Sequence, residues 1–582
     1  MRTPGFVAAT CVAVLLACGH SSSKNTSGTS DAGLLTVPTP DGGTVGALDG
    51  AAPAVGHVDV LTQHNDVSRT GQNLYETTLT TSNVRSATFG KLFTLPVDGI
   101  IYAQPLIVTS TPIADAGVHD VVIVATMHNS VYAFDANSGG APLWQVNLGP
   151  SVPNTEVGPF NDAGTQRLGT QNIQVEVGIL STPVIDRDNG LIYLTRKDYT
   201  SSVQTLKFHV LSLATGQDMP GSPATITASV EGTGTNSGTT ITLDPILHAQ
   251  RPALLLANGV VYMAFASHED YRPFHGWILG YQYDAAKKAI TKPLVFNVTP
   301  DGTEGGIWMS GQGLLSDGTG IYANVANGSV TAPTGGSSYG ESFLKLSFDL
   351  QPQDYFVPYD FDDLNTDDID MGAGGPVLIP GTSPPMITGG GKSGVLYLVN
   401  TTNMGHLGTV DNMASQWFQA TTAIYGAPVV WTGTGAPLLY LWGVGDPLKE
   451  YSMSGGLFNE TPVATSRAIV TIPARGQDPV GALSVSSNGA ASGTGIVWAA
   501  KPLQNPDHAT VPGIFYAFDA LTLNELWDSS QNAARDSSGY FAKFVPPTVA
   551  NGKVYLATCA LPTNGPSSVS VYGLLPGVDA GP

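Results

Sequence analysis

One short pattern recurs from Lys91 to Leu575: an apolar entry strand, a turn, then a strand of apolar residues around a Tyr or Trp that ends in small side chains. Eight second strands carry it, the first without the aromatic: Val121-Val-Ile-Val-Ala-Thr, Leu191-Ile-Tyr-Leu-Thr, Val260-Val-Tyr-Met-Ala, Gly320-Ile-Tyr-Ala-Asn, Val395-Leu-Tyr-Leu-Val, Pro437-Leu-Leu-Tyr-Leu, Gly495-Ile-Val-Trp-Ala and Lys553-Val-Tyr-Leu-Ala. Entry strands containing proline precede several of them, as at Gln104-Pro105-Leu106, Thr182-Pro183-Val184 and Ala427-Pro428-Val429. Between entry and second strand lie Asp188-Asn189-Gly190, Ala257-Asn258-Gly259 and Ala550-Asn551-Gly552, the turn chemistry a tight hairpin requires. Such a unit, repeating every 60 residues or so, cannot bury its own faces and must stack on its neighbours. The fold expected is all-β, a β-propeller of eight four-stranded blades, or seven if the weak unit at 426–465 is not one. The last unit, from Phe544, looks one strand short, while Lys91 to Val97 is a strand without a place. The N-terminal strand is therefore expected to complete the last blade and close the ring, which removes an open sheet edge.

Composition narrows the class further. Only 12% of the 582 residues are charged and 42% are hydrophobic, with 8 Trp, 21 Tyr and 19 Phe, which excludes a disordered chain and a long-helix protein. A net charge of −21 leaves no basic excess to displace counterions from a phosphate backbone, so nucleic acid is not an expected partner. At the start, Arg2, an apolar run from Phe6 to Leu16 and Ala17-Cys18 read as a signal peptide over 1–17. The Cys after a small residue resembles a bacterial lipobox, implying lipidation at Cys18, and Gly19 behind it favours the outer membrane or cell surface. Residues 18–57 read as a flexible Ser/Gly/Pro tether, 58–576 as a single domain and 577–582 as a loose tail. With Cys11 and Cys18 used up, Cys559 stands alone, so the mature chain has no disulfide. The expected protein is exported and monomeric, and it touches a membrane only through its anchor.

Two units end alike: Val131-Tyr-Ala-Phe-Asp135 with Leu143-Trp144, and Phe515-Tyr-Ala-Phe-Asp519 with Leu526-Trp527. This ending resembles the tryptophan-docking repeat of propellers of the pyrroloquinoline quinone (PQQ) dehydrogenase superfamily. The stretch His64-Asn65-Asp66…Arg69-Thr70-Gly71-Gln72-Asn73 is similar to the entry segment of its secreted members of unassigned activity. The resemblance covers roughly residues 60 to 575 and implies an axial site for PQQ and calcium. Carried over residue by residue, it implies Glu176 and Asn327 as calcium ligands, Asp370 as base with Asp368 beside it, and Lys392 on the quinone. Trp308, outside the docking positions, is a candidate to stack on the cofactor. Hard oxygen ligands, a carboxylate and a cation facing an electron-accepting carbonyl suit that chemistry.

The chain also departs from the family. It lacks the adjacent cysteine pair of the quinoprotein alcohol dehydrogenases, and it contains no Cys-x-x-Cys-His haem motif. Other chemistries find little footing. Gly390-Gly391-Lys392-Ser393 lacks the P-loop's first glycine, since Met386 stands there. The acidic run Asp360 to Asp370 has the wrong spacing for an EF-hand and reads first as a solvated loop. The eleven His show no zinc spacing, and no serine-nucleophile elbow occurs. A glycosidase would need a carboxylate pair, and none is nominated. The expected function is that of a binding or scaffold propeller with a degenerate cofactor site, its ligand an unknown protein or small molecule received on the insertions near 149–178, 228–250 and 329–342. The alternative is a PQQ- and calcium-dependent oxidoreductase acting on alcohols or sugars.

Overall fold

Alternation explains how one strand serves two cores. In Leu191–Thr200, Ile192 and Leu194 face one apolar cluster while Leu191 and Tyr193 face the next, so both faces of the sheet are buried. A computed structural model describes residues 57–234, 239–291, 293–469, 481–561 and 565–577. In it, eight antiparallel sheets of four principal strands follow one another as a β-propeller. They span 106–147, 184–225, 255–297, 315–357, 377–419, 429–469, 482–528 and 548–574. The unit that is weak in sequence is a full sheet, with strands Val429–Trp431, Leu438–Trp442, Pro447–Ser454 and Ala464–Ile469. The eighth sheet takes its fourth strand from the N-terminal side: Phe89–Val97 pairs antiparallel with Ser567–Leu574. The expected signal peptide, Cys18, the expected tether up to residue 56 and the expected tail beyond Gly577 lie outside the described residues. Among the described residues, no helix is long and apolar enough to cross a membrane.

The recurring Tyr is also a tie between blades. Tyr262 Oη donates to the Phe348 carbonyl (2.7 Å), Tyr440 to Ala520 (2.8 Å) and Tyr555 to Ala136 (3.0 Å). In each case the acceptor lies in the turn before the outermost strand of the next sheet, and the third bond joins the eighth sheet to the first. Trp144 does the docking expected of it, donating through Nε1 to Leu213 of the second sheet (3.1 Å). Gly216 makes room for that ring, since a Cβ there would lie 2.5 Å from it.

The segment from Val58 to Asn73 threads the middle of the ring and bonds to all eight sheets. Val60 bridges Ile107, and the Leu61, Val67, Ser68, Thr70 and Gly71 carbonyls accept from Ile185, Ser316, Leu378, Val430 and Val485. Arg69 reaches the Leu254 carbonyl at the foot of the third sheet, and Asn73 Nδ2 reaches that of Val549 in the eighth. Arg69 is wholly buried and also donates to Leu314 O, Thr62 Oγ1 and Gln63 O. At its start the thread reaches the turn between the first and second strands of the eighth sheet, where the Asn551 side chain bonds Val58.

Candidate functional site

In a four-stranded meander, the loops before the first strand and between the second and third emerge at one end of the ring. Glu176, Trp308 and Asp370 precede first strands, and Asn327 and Lys392 lie between second and third strands. All five are therefore at the same end of the ring. They do not share one joint.

Asn327, Asp368, Asp370 and Lys392 come together between the fourth and fifth sheets. The Asn327 backbone N–H donates to Asp370 Oδ1 (3.1 Å), and its Nδ2 donates to Asp368 Oδ1 (2.9 Å). Lys392 Nζ lies 2.5 Å from Asp370 Oδ2 and 3.2 Å from Asp368 Oδ2, and it donates to the Asp368 carbonyl at 3.0 Å. The backbone builds this directly: Phe361–Asp367 is a short helix, Asp368 closes it in the left-handed conformation, and the chain then dives so that Asp370 is buried. The acidic run thus divides, with Asp362 and Asp363 exposed on the helix and Asp370 inside. Burial works against the Lys392 ammonium, but Asp370 and Asp368 outweigh it and hold its pKa above the ordinary lysine value.

Glu341, absent from the sequence-based set, is part of this centre. It is fully buried, and Oε2 accepts the Met371 N–H (2.7 Å) while Oε1 has no partner. Burial first, then the charge of Asp370, pushes its carboxyl well above the usual range. Asn327 Oδ1 is likewise buried without a partner. Glu304 pairs with Arg272, and Asp270 accepts from Ser267 Oγ (2.9 Å) at the rim. The available signal for Glu341 was a lone acidic residue two positions before the strand Phe343–Leu346.

Glu176 lies elsewhere. It bonds His128 Nδ1 (3.0 Å) and Ser151 Oγ at the joint of the first and second sheets. Trp308 stands on the axis, edge-on to Phe544 with centroids 5.7 Å apart. The Arg251 guanidinium lies 5.6 Å from both the Phe544 and Tyr102 rings. Below them, Gln63, His64, Ser310, Gln312 and Leu483 line an axial cavity of about 20 Å³, room for one water. Trp277 is core, and His268 is buried with Nε2 2.7 Å from Lys197 Nζ.

These residues do not fit PQQ and calcium. Aromatic and cationic side chains fill the axis above the thread, and Glu176 does not meet Asn327. Three oxygens occupy the Lys392 ammonium that would face a quinone. Among the described residues, no group of three or more His, Cys, Asp or Glu is disposed to hold a metal ion.

No protein-family model and no curated protein matches the sequence. Among solved structures, a europium-containing methanol dehydrogenase is 13% identical, with a TM-score of 0.41 over 86% of this chain and 82% of that one. Saccharomyces cerevisiae Sqt1 is 11% identical, with a TM-score of 0.44 over 84% of this chain and 99% of that one. A glucose dehydrogenase is 12% identical, with a TM-score of 0.31 over 56% of this chain and 93% of that one. At these values the propeller assignment rests on the strand pairing itself.

Proposed function

We propose that this protein is an extracytoplasmic binding or scaffold propeller, held to a membrane through lipid on Cys18, with a cofactor position that does not take a quinone. The filled axis carries this reading. The thread crosses the ring, while Arg251, Tyr102, Phe544 and Trp308 occupy the place where an axial ligand would lie. A propeller plugged in this way offers a rigid body, and its variable loops are left to bind a protein or small molecule. The insertion 149–178 is the leading surface, with Phe160 and Leu168 more than half exposed beside Arg167. The test is dye reduction by the purified protein with PQQ, calcium and a panel of alcohols and sugars. No cofactor-dependent reduction is expected. Turnover that disappears in Asp370→Asn would instead establish the oxidoreductase.

A further inference from the structure

The axial cavity beside Phe544 is bounded by the thread on one side and by the ring on the other. Small residues at Gly426, Ala427 and Ala482, where the sixth and seventh sheets begin, leave its volume of about 20 Å³. His64 brings the thread to it. The His64 backbone is left-handed (φ 55°), and its carbonyl accepts the Asp66 and Gly71 N–H groups at 2.9 and 3.0 Å, which fixes where the ring starts. The ring is 3% exposed and lies against the Arg69 and Leu483 main chain, yet its Nδ1 is buried with no hydrogen-bond partner in the protein. Gln312 brings the ring's fourth sheet to the same cavity and is 2% exposed. Its Nε2 donates to the Pro376 carbonyl (2.5 Å), which sets the amide's orientation and makes Oε1 an acceptor. That Oε1 is also buried with no partner in the protein. Two orphaned polar atoms, one from each body, therefore belong to side chains that line one small cavity, and buried groups of this kind go unsatisfied only at a cost.

We infer that the axial cavity is a binding site for a single water molecule, which bridges His64 Nδ1 and Gln312 Oε1 and so pins the thread to the entry of the fourth sheet. Size and chemistry select water. The volume admits one, and one molecule that both donates and accepts satisfies the two atoms together. Charge selects it as well. Burial first, then the charge of Arg69, lowers the His64 pKa to about 4, so the imidazole is neutral at pH 7, and the same guanidinium opposes a cation in the cavity. The site is independent of what the outer loops bind, since the cavity lies inside the ring.

Crystals of the wild-type chain at a resolution that orders internal water, grown near pH 7, supply the test. One electron-density peak is expected on the axis, at about 2.7–3.2 Å from both His64 Nδ1 and Gln312 Oε1. Wild-type crystals pressurised with xenon are expected to show no xenon there, because xenon enters dry apolar cavities and does not displace a water held by polar groups. Gln312→Met keeps the length of the side chain and removes one of the two partners, and it is expected to lower the occupancy of the peak by half or more. The inference is overturned by an empty wild-type cavity, by xenon within it, by a direct His64–Gln312 hydrogen bond that closes it, or by a peak that Gln312→Met leaves unchanged. The two wild-type crystals decide the matter even where the variant does not fold.

Discussion

Replacing Arg69 by methionine removes one guanidinium from the middle of the ring and keeps most of its volume. Arg69 has no exposed surface, and its Nε, Nη1 and Nη2 donate to Leu314 O, Thr62 Oγ1, Gln63 O and Leu254 O at 2.8–3.2 Å. The variant strands four acceptors, three of them main-chain carbonyls. Each stranded acceptor costs about 1–3 kcal/mol, and relief of a buried charge returns part of the sum. That relief is real, because burial already lowers the Arg69 pKa to about 10. The net loss expected is about 3–5 kcal/mol, read from the midpoint of guanidinium unfolding followed by tryptophan fluorescence. Arg187→Met is the control. That residue also grips the thread, through Asp59, but its side chain is 44% exposed, and such a pair contributes about 0–1 kcal/mol. An Arg69→Met loss below about 1 kcal/mol, or one equal to that of Arg187→Met, would refute the view that the thread is the bolt of the ring.

Three further outcomes follow from single residues. Glu450 is buried between the sixth and seventh sheets with Oε2 unpartnered, and burial followed by the charge of Asp519 pushes its pKa up to about 8. Because the folded value exceeds the unfolded one, the penalty is absent below about pH 4.5, grows up to about pH 8 and then levels off. Glu450→Gln should therefore gain on the order of 3–5 kcal/mol relative to wild type between pH 4.5 and 8.5 by denaturation midpoints, and a gap that does not vary with pH contradicts this. Tyr555→Phe, which cuts the bond from the eighth sheet to Ala136 of the first, should cost about 1–2 kcal/mol in the same assay. Burial pushes the Cys559 thiol up to about 12, so thiol reagents should label it only after denaturation, and rapid native labelling would show that the channel breathes.

Local pattern carried the fold because each blade is local. The strand Lys553–Thr558 needs only its own apolar alternation and turn residues to be recognised, and seven of the eight quoted segments fall on second strands; Val395–Asn400 is instead the third strand of the fifth sheet, after Met386–Gly390. Even the weak sixth unit forms a sheet, since Leu438 to Trp442 is wholly buried. The site was legible only in part, for a reason of distance. Asn327, Asp368, Asp370 and Lys392 lie on adjoining sheets, so matching their order was enough to bring them together. Glu176 was matched by order alone, and order cannot say which joint a loop faces. Glu341 carries no motif, and only its burial beside Asp370 marks it. The thread was visible as a sequence similarity, but its role depends on main-chain bonds to strands up to several hundred residues away, which no window of sequence contains.

Equilibrium dialysis of PQQ against the purified protein in calcium measures occupancy of the axis without requiring turnover. A channel filled by Arg251, Tyr102, Phe544 and Trp308 predicts no saturable uptake and an unchanged tryptophan fluorescence spectrum. Binding of one PQQ per chain, lost in both Asn327→Ala and Lys392→Ala, would contradict the scaffold reading and restore the quinoprotein.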